Sequence, residues 1–187
     1  NRTFEVGHHA SCVAALPDGV HFVVGLGEYE KWGDIRLYHV DGTLVHTFHA
    51  GQRAASEGWA DVCAVAVTPD GQNIISGSQH DKLVTVWSVA SKSLVSTCTG
   101  HTKRVNAVAA MPDGQRILSG SSDKTIRVWL LNGTNQNNFE LHTDMVTALV
   151  ALPDNQHALS ASYDCTVKLF NVNDGAVLRN FTHRPSI

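Results

Sequence analysis

Charge, long apolar runs and paired cysteines are what this sequence has least of. Only 17% of the 187 residues are charged, and the 14 lysines and arginines stand scattered. A nucleic-acid backbone needs a dense basic face, so that class of partner is excluded. No apolar stretch approaches the ~20 residues of a membrane span, and no signal-peptide pattern opens the chain, so no membrane role is expected. The cysteines, Cys12, Cys63, Cys98 and Cys165, lie far apart with no CxxC spacing. Buried free thiols are expected rather than disulfides or a zinc site, and with them a reducing, cytoplasmic setting. Neither a cofactor nor a metal motif is expected: His8-His9 has no further ligands at a telling spacing, and Gly25-Leu26-Gly27 precedes no helix. Asn1 in place of an initiator Met suggests a processed product or a window from a longer chain.

The few prolines are ordered. Pro-Asp-Gly or a close relative recurs at Pro17-Asp18-Gly19, Pro69-Asp70-Gly71, Pro112-Asp113-Gly114 and Pro153-Asp154-Asn155. A recurrence at roughly 40–50 residues is read as a structural repeat before anything else. The clearest copy runs from Gly100 to Trp129. Its apolar runs Val105–Ala110, Arg116–Ser119 and Thr125–Trp129 are separated by Pro112-Asp113-Gly114 and by Ser122-Asp123. Each run has strand length, and Asp-Gly supplies the positive φ of a tight reversal.

The polar residues of this copy can satisfy one another. A buried Trp129 indole N–H needs an acceptor, which Ser119 offers; Ser119 can donate to His101, and His101 to Asp123. Such a relay leaves few groups unpaired on burial. Ser, His and Asp also suggest a hydrolase triad, but a set buried within one sheet does not face a substrate.

Gly100-His101 and Val128-Trp129-Leu130 give the stretch its resemblance to a WD40 repeat, with Leu130 where the family writes Asp. The resemblance extends over essentially the whole chain as four repeats. It implies an all-β fold: a WD40-type β-propeller segment of four four-stranded antiparallel blades, about half of a seven- or eight-bladed ring. The expected divisions are 1–6 (outer strand of a preceding blade), 7–48, 49–98, 99–140 and 141–182, with a tail at 183–187. The remaining blades would come from the same longer chain or from a second copy. Clasp residues are expected at Ser76, Asp81 and Trp87 in repeat 2, with His49 the candidate histidine. Repeat 3 has His101, Ser119, Asp123 and Trp129. Repeat 4 has His142, Ser160 and Asp164, with Phe170 in the Trp slot. Repeat 1 is degenerate, with Val24 and Tyr38 in the Ser and Trp slots.

By resemblance, one loop face binds partners. Carried over by register, its positions are His9 and Ser11; Asp61, Cys63 and His80; Arg104, Asn106 and Ser122; and Met145, Thr147 and Tyr163. Two insertions, Gly27–Gly33 and Gly51–Trp59, are expected on the same face. They bring Tyr29, Trp32, Arg53 and Trp59, residue types that dominate interfaces. The expected function is a non-catalytic scaffold for a protein or peptide partner. The alternatives are a permanent structural subunit of a large assembly and a hydrolase with a channel-mouth site. For the last, only scattered His9, His80 and Asp61 are at hand.

Overall fold

The computed structural model describes residues 9–27, 33–50 and 61–182. Among these residues sixteen strands form four separate sheets of four. The first sheet is β1 (His9–Ala15), β2 (His21–Gly27), β3 (Asp34–His39) and β4 (Leu44–His49). The second is β5 (Val62–Val67), β6 (Asn73–Ser78), β7 (Val84–Ser88) and β8 (Ser93–Cys98). The third is β9 (Val105–Ala110), β10 (Arg116–Ser121), β11 (Ile126–Leu130) and β12 (Asn135–Phe139). The fourth is β13 (Val146–Ala151), β14 (His157–Ser162), β15 (Thr166–Asn171) and β16 (Val177–Thr182). Strands follow chain order within every sheet, and every pairing is antiparallel. The proposed strand preceding His9 lies outside the described residues.

Turn chemistry explains this regularity. The first hairpin of each sheet turns through a residue at positive φ: Gly19 (74°), Gly71 (71°), Gly114 (65°) and Asn155 (60°). The aspartate just before it caps the turn; Asp113 Oδ1, for example, accepts from the N–H groups of Gln115 and Arg116 at 2.8 and 3.1 Å. An Asx cap of this kind lets the side chain stand in for backbone.

Each sheet is apolar on both faces, so the sheets stack. Val23, Ile35 and Leu37 of the first pack on Val62, Ile74 and Trp87 of the second. Ile75, Val84 and Val86 meet Val105, Ile117 and Trp129. Leu118, Ile126 and Val128 meet Val146, Ala158 and Phe170. The leading strands β1, β5, β9 and β13 lie against one another in succession. Sheets also approach closely where the valine that opens a leading strand sits on a glycine in the second strand of the sheet before it: a Cβ at Gly77 would stand 2.6 Å from Val105, and one at Gly120 2.6 Å from Val146. Among the described residues the fourth sheet's last face has no such neighbour; Val167 is 37% and Phe181 54% exposed, whereas Ile126 and Val84 are at 0%.

Since valine is stiff at χ1, a methyl at the glycine must push sheets apart. Gly77→Ala or Gly120→Ala is expected to cost about 1–3 kcal/mol in urea denaturation. An unchanged midpoint for both central variants would show that the glycines are not the close-packing points.

Candidate functional site

Two constellations arise from the sequence-marked residues: a buried clasp inside the second, third and fourth sheets, and a cluster along one edge. In the third sheet the Trp129 indole donates to Ser119 Oγ at 2.7 Å. Ser119 in turn stands 2.7 Å from His101 Nε2, and His101 Nδ1 2.8 Å from Asp123 Oδ2. The fourth sheet repeats this, with His142 2.8 Å from both Ser160 and Asp164. Phe170 fills the Trp slot, fully buried and without a donor.

Burial alone would raise the pKa of Asp123. Hydrogen bonds from His101, Thr125 and the backbone of Thr102 and Thr125 outweigh it and hold the carboxyl far below the ordinary range. For Asp164 burial is likewise outweighed, by Thr166, His142 and the Thr143 backbone. The two threonines were not anticipated from the sequence. Each donates to its aspartate at 2.6 Å, and the repeated Asp-x-Thr spacing is the signal that could have found them.

The second sheet departs from the expected relay. Trp87 Nε1 donates to Thr85 Oγ1 at 3.0 Å and to Ser76 Oγ at 3.3 Å, and the two hydroxyls are 2.6 Å apart. Among the described residues no histidine bonds Ser76. His49 instead bonds Asp34 at 2.9 Å on the neighbouring sheet. A short hydroxyl side chain opposite Ser76 has taken over the link that histidine makes elsewhere. Asp81 sits in the following turn, beside the mouth of a groove that Trp87 also lines.

The edge cluster is created by bulges. Each leading strand carries a register shift that skips one residue: Ser11, Cys63, Asn106 and Thr147. A bulge leaves its extra residue out of the ladder and re-aims its side chain. The β2–β3-type turns are tied beside these bulges by backbone bonds, Gln79 N to Asp61 O, Ser122 N to Arg104 O, and Tyr163 N to Met145 O, at 2.9–3.0 Å. Asp61, His80, Arg104, Asn106, Met145, Thr147 and Tyr163 are thereby gathered on one edge. Tyr29, Trp32, Arg53 and Trp59 lie outside the described residues.

Several of the gathered side chains are already engaged. Ser11 donates to Val62 O of the next sheet, and Asn106 Nδ2 donates to Val146 O at 2.8 Å and to Ser122 at 3.0 Å. Thr147 donates to Ala161 O at 3.3 Å. Burial pushes the Cys63 thiol up to about 11, against the opposing pull of Arg104, so it is no thiolate nucleophile at neutral pH. Arg104 and Tyr163 face solvent. Among the described residues no His, Cys, Asp and Glu group is placed to hold a metal ion, and no helix is long and apolar enough to cross a membrane.

Successive antiparallel four-stranded sheets, stacked through their leading strands and locked by a Trp-Ser-His-Asp clasp that is complete in the third sheet and shortened in the second and fourth, define a β-propeller. The family model described as "WD domain, G-beta repeat" matches residues 42–88, 92–129 and 133–171, more than half of the chain; the chain belongs to the WD40 repeat family. Each matched span starts at the outer strand of one sheet and ends at the third strand of the next, so sequence repeats and blades are offset by one strand. Two solved structures share the fold. That of U3-55K is 24% identical with a TM-score of 0.82, over 98% of this chain and 55% of that one. That of the RRP9 WD40 repeats is 22% identical with a TM-score of 0.81, over 95% and 52%. The chain therefore spans about half the length of the solved structures it matches.

The clasp is open to a graded test. Ser119→Ala strands both the Trp129 indole and His101 and is expected to cost about 1–3 kcal/mol; Ser76→Ala should cost less, because Thr85 still accepts from Trp87. Asp123 and Asp164 have folded-state pKa values below their unfolded ones. Their contribution is thus complete above the unfolded carboxylate value of about 4 and is lost as pH falls below it. Urea midpoints should drop from about pH 5 to about pH 2, less steeply in Asp123→Asn, which starts out weaker at neutral pH. Equal costs for the two serines, or a pH slope unaltered in Asp123→Asn, would contradict the clasp as drawn.

Proposed function

We propose that this WD40 chain is a non-catalytic scaffold that holds a protein or peptide partner along the edge where the bulges and the second turns converge, in the cytoplasm. The observation that carries the reading is the exposed Tyr163, 67% accessible on a turn anchored at both ends, next to the solvent-facing Arg104 and the half-buried Met145. A rigid frame presenting exposed tyrosine and arginine suits a hot-spot surface. The engaged Ser11 and Asn106 then hold neighbouring blades in place, and Asp61, His80 and Thr147 flank the contact. Tyr29, Trp32, Arg53 and Trp59 extend the proposal from the two insertions. The remaining blades come from the same longer chain or from a second copy, which would cover Val167 and Phe181 on the fourth sheet.

The test is site-specific photo-crosslinking from the two edges of the sheets. A benzophenone amino acid at Tyr163 or Arg104 should capture one discrete partner species, and the same group at Gln156, on the opposite edge, should not. Tyr163→Ala with Arg104→Ala should reduce recovery of that species at least about tenfold with the thermal midpoint unchanged. Equal capture from both edges would overturn the placement.

A further inference from the structure

The second sheet is missing more than a histidine. The residue paired with the clasp serine is a long cation elsewhere: Arg127 opposite Ser119 and Lys168 opposite Ser160. Arg127 reaches over the Trp129 ring, 5.8 Å from its centre, and Lys168 donates to Leu141 O. In the second sheet the paired residue is Thr85. With histidine and cation both absent there, a cavity of about 800 Å³ opens between β4 and the β7–β8 hairpin. Phe48, Trp87 and Leu94 give it apolar walls, and Lys82, just before β7, and Lys92, in the turn after it, also line it. His80 also lines it, and His80 Nε2 is buried with no hydrogen-bond partner among the described residues.

We propose that this side groove is a second docking site, for an acidic peptide segment that seats one apolar side chain over Trp87 and places its carboxylates toward Lys82, Lys92 and His80. The length suits it: Lys82 precedes β7 and Lys92 ends the turn after it, so the groove runs along one strand, as an extended segment does. Charge suits it as well. Among the described lining residues Lys82 and Lys92 stand against one carboxylate, Asp81, with His46 and His80 beside them, while His49 is taken up by Asp34. The pKa of His46 is pushed down by burial and then by the neighbouring charges of Lys92 and His49, so the standing positive charge of the groove is that of Lys82 and Lys92. A carboxylate or peptide carbonyl would also give His80 Nε2 the partner it lacks. The groove meets the loop edge at His80 but includes none of Tyr163, Arg104 and Met145, and it does not depend on the reading given to that edge.

A fluorescein-labelled peptide of glutamates flanking one phenylalanine is the probe, titrated into the full chain by anisotropy while the Trp87 indole N–H resonance is followed. Saturable binding that shifts this resonance is expected, with no binding of the matching lysine peptide. Lys82→Glu with Lys92→Glu should weaken binding at least about tenfold. Thr85→Arg, which restores the cation of the neighbouring sheets, should close the slot and abolish it. Tyr163→Ala should leave this binding unchanged, so failure at one site is distinguishable from failure at the other. Absence of saturable binding, equal affinity in the charge-reversed variant, or a groove closed to the probe by a second copy or by the chain itself would each overturn the proposal.

Discussion

Everything in this chain follows from sheets that are apolar on both faces. A sheet with one apolar face can sit on a single partner layer; a sheet with two cannot be finished by one neighbour. Ile75, Val84 and Val86 face one way in the second sheet while Ile74 and Trp87 face the other, and both sets are buried. Repeating such a unit leads to stacking, with each leading strand set against a glycine in the second strand of the sheet before it. Gly25, Gly77 and Gly120 each receive the valine that opens the next leading strand. The position equivalent in the fourth sheet is Ala161, on the face where Val167 and Phe181 remain exposed.

Within that frame the clasp does a narrower job. It allows Trp129 to be buried without leaving its N–H unpaired, and it pins the segment before the leading strand, at His101, to the turn after the second strand, at Asp123. That turn is also where the exposed edge residues sit. Thr125 and Thr166 tighten it further, each bonded to its aspartate. Order in the buried relay is thereby passed to the surface: Tyr163 immediately precedes Asp164, so the clasp that holds the aspartate also limits where the tyrosine can be. In the second sheet the relay is shortened to Trp87, Ser76 and Thr85, and the space released becomes a groove.

Family membership narrows the function without naming a partner. Propellers of this family are generally interaction scaffolds, and the chemistry on the loop edge agrees with binding better than with turnover. Cys63 is held as a thiol, and the Ser-His-Asp sets are enclosed in sheet cores, where no substrate reaches them.

Strand positions, turns and two of the clasps were legible in the residues alone, because each is settled within one repeat. Ser119 and Trp129 lie on paired strands, Asp123 in the tight turn between them and His101 just before the leading strand, so pairing within one repeat is enough to bring them together. The bulges of the leading strands were not legible, although the residues they re-aim had been marked by register. The Ser11 contact with Val62 and the Asn106 contact with Val146 were hidden for a stronger reason: their partners are backbone groups, which carry no sequence signal. His49 shows the same limit, since the choice between Ser76 and Asp34 was made by distance between sheets and not by spacing along the chain. Local chemistry determined the blades. How closely neighbouring blades approach, which side chains are consumed in joining them, and where a missing histidine and a short Thr85 leave open space were decided only when the sheets packed, because those outcomes depend on volumes contributed by different repeats.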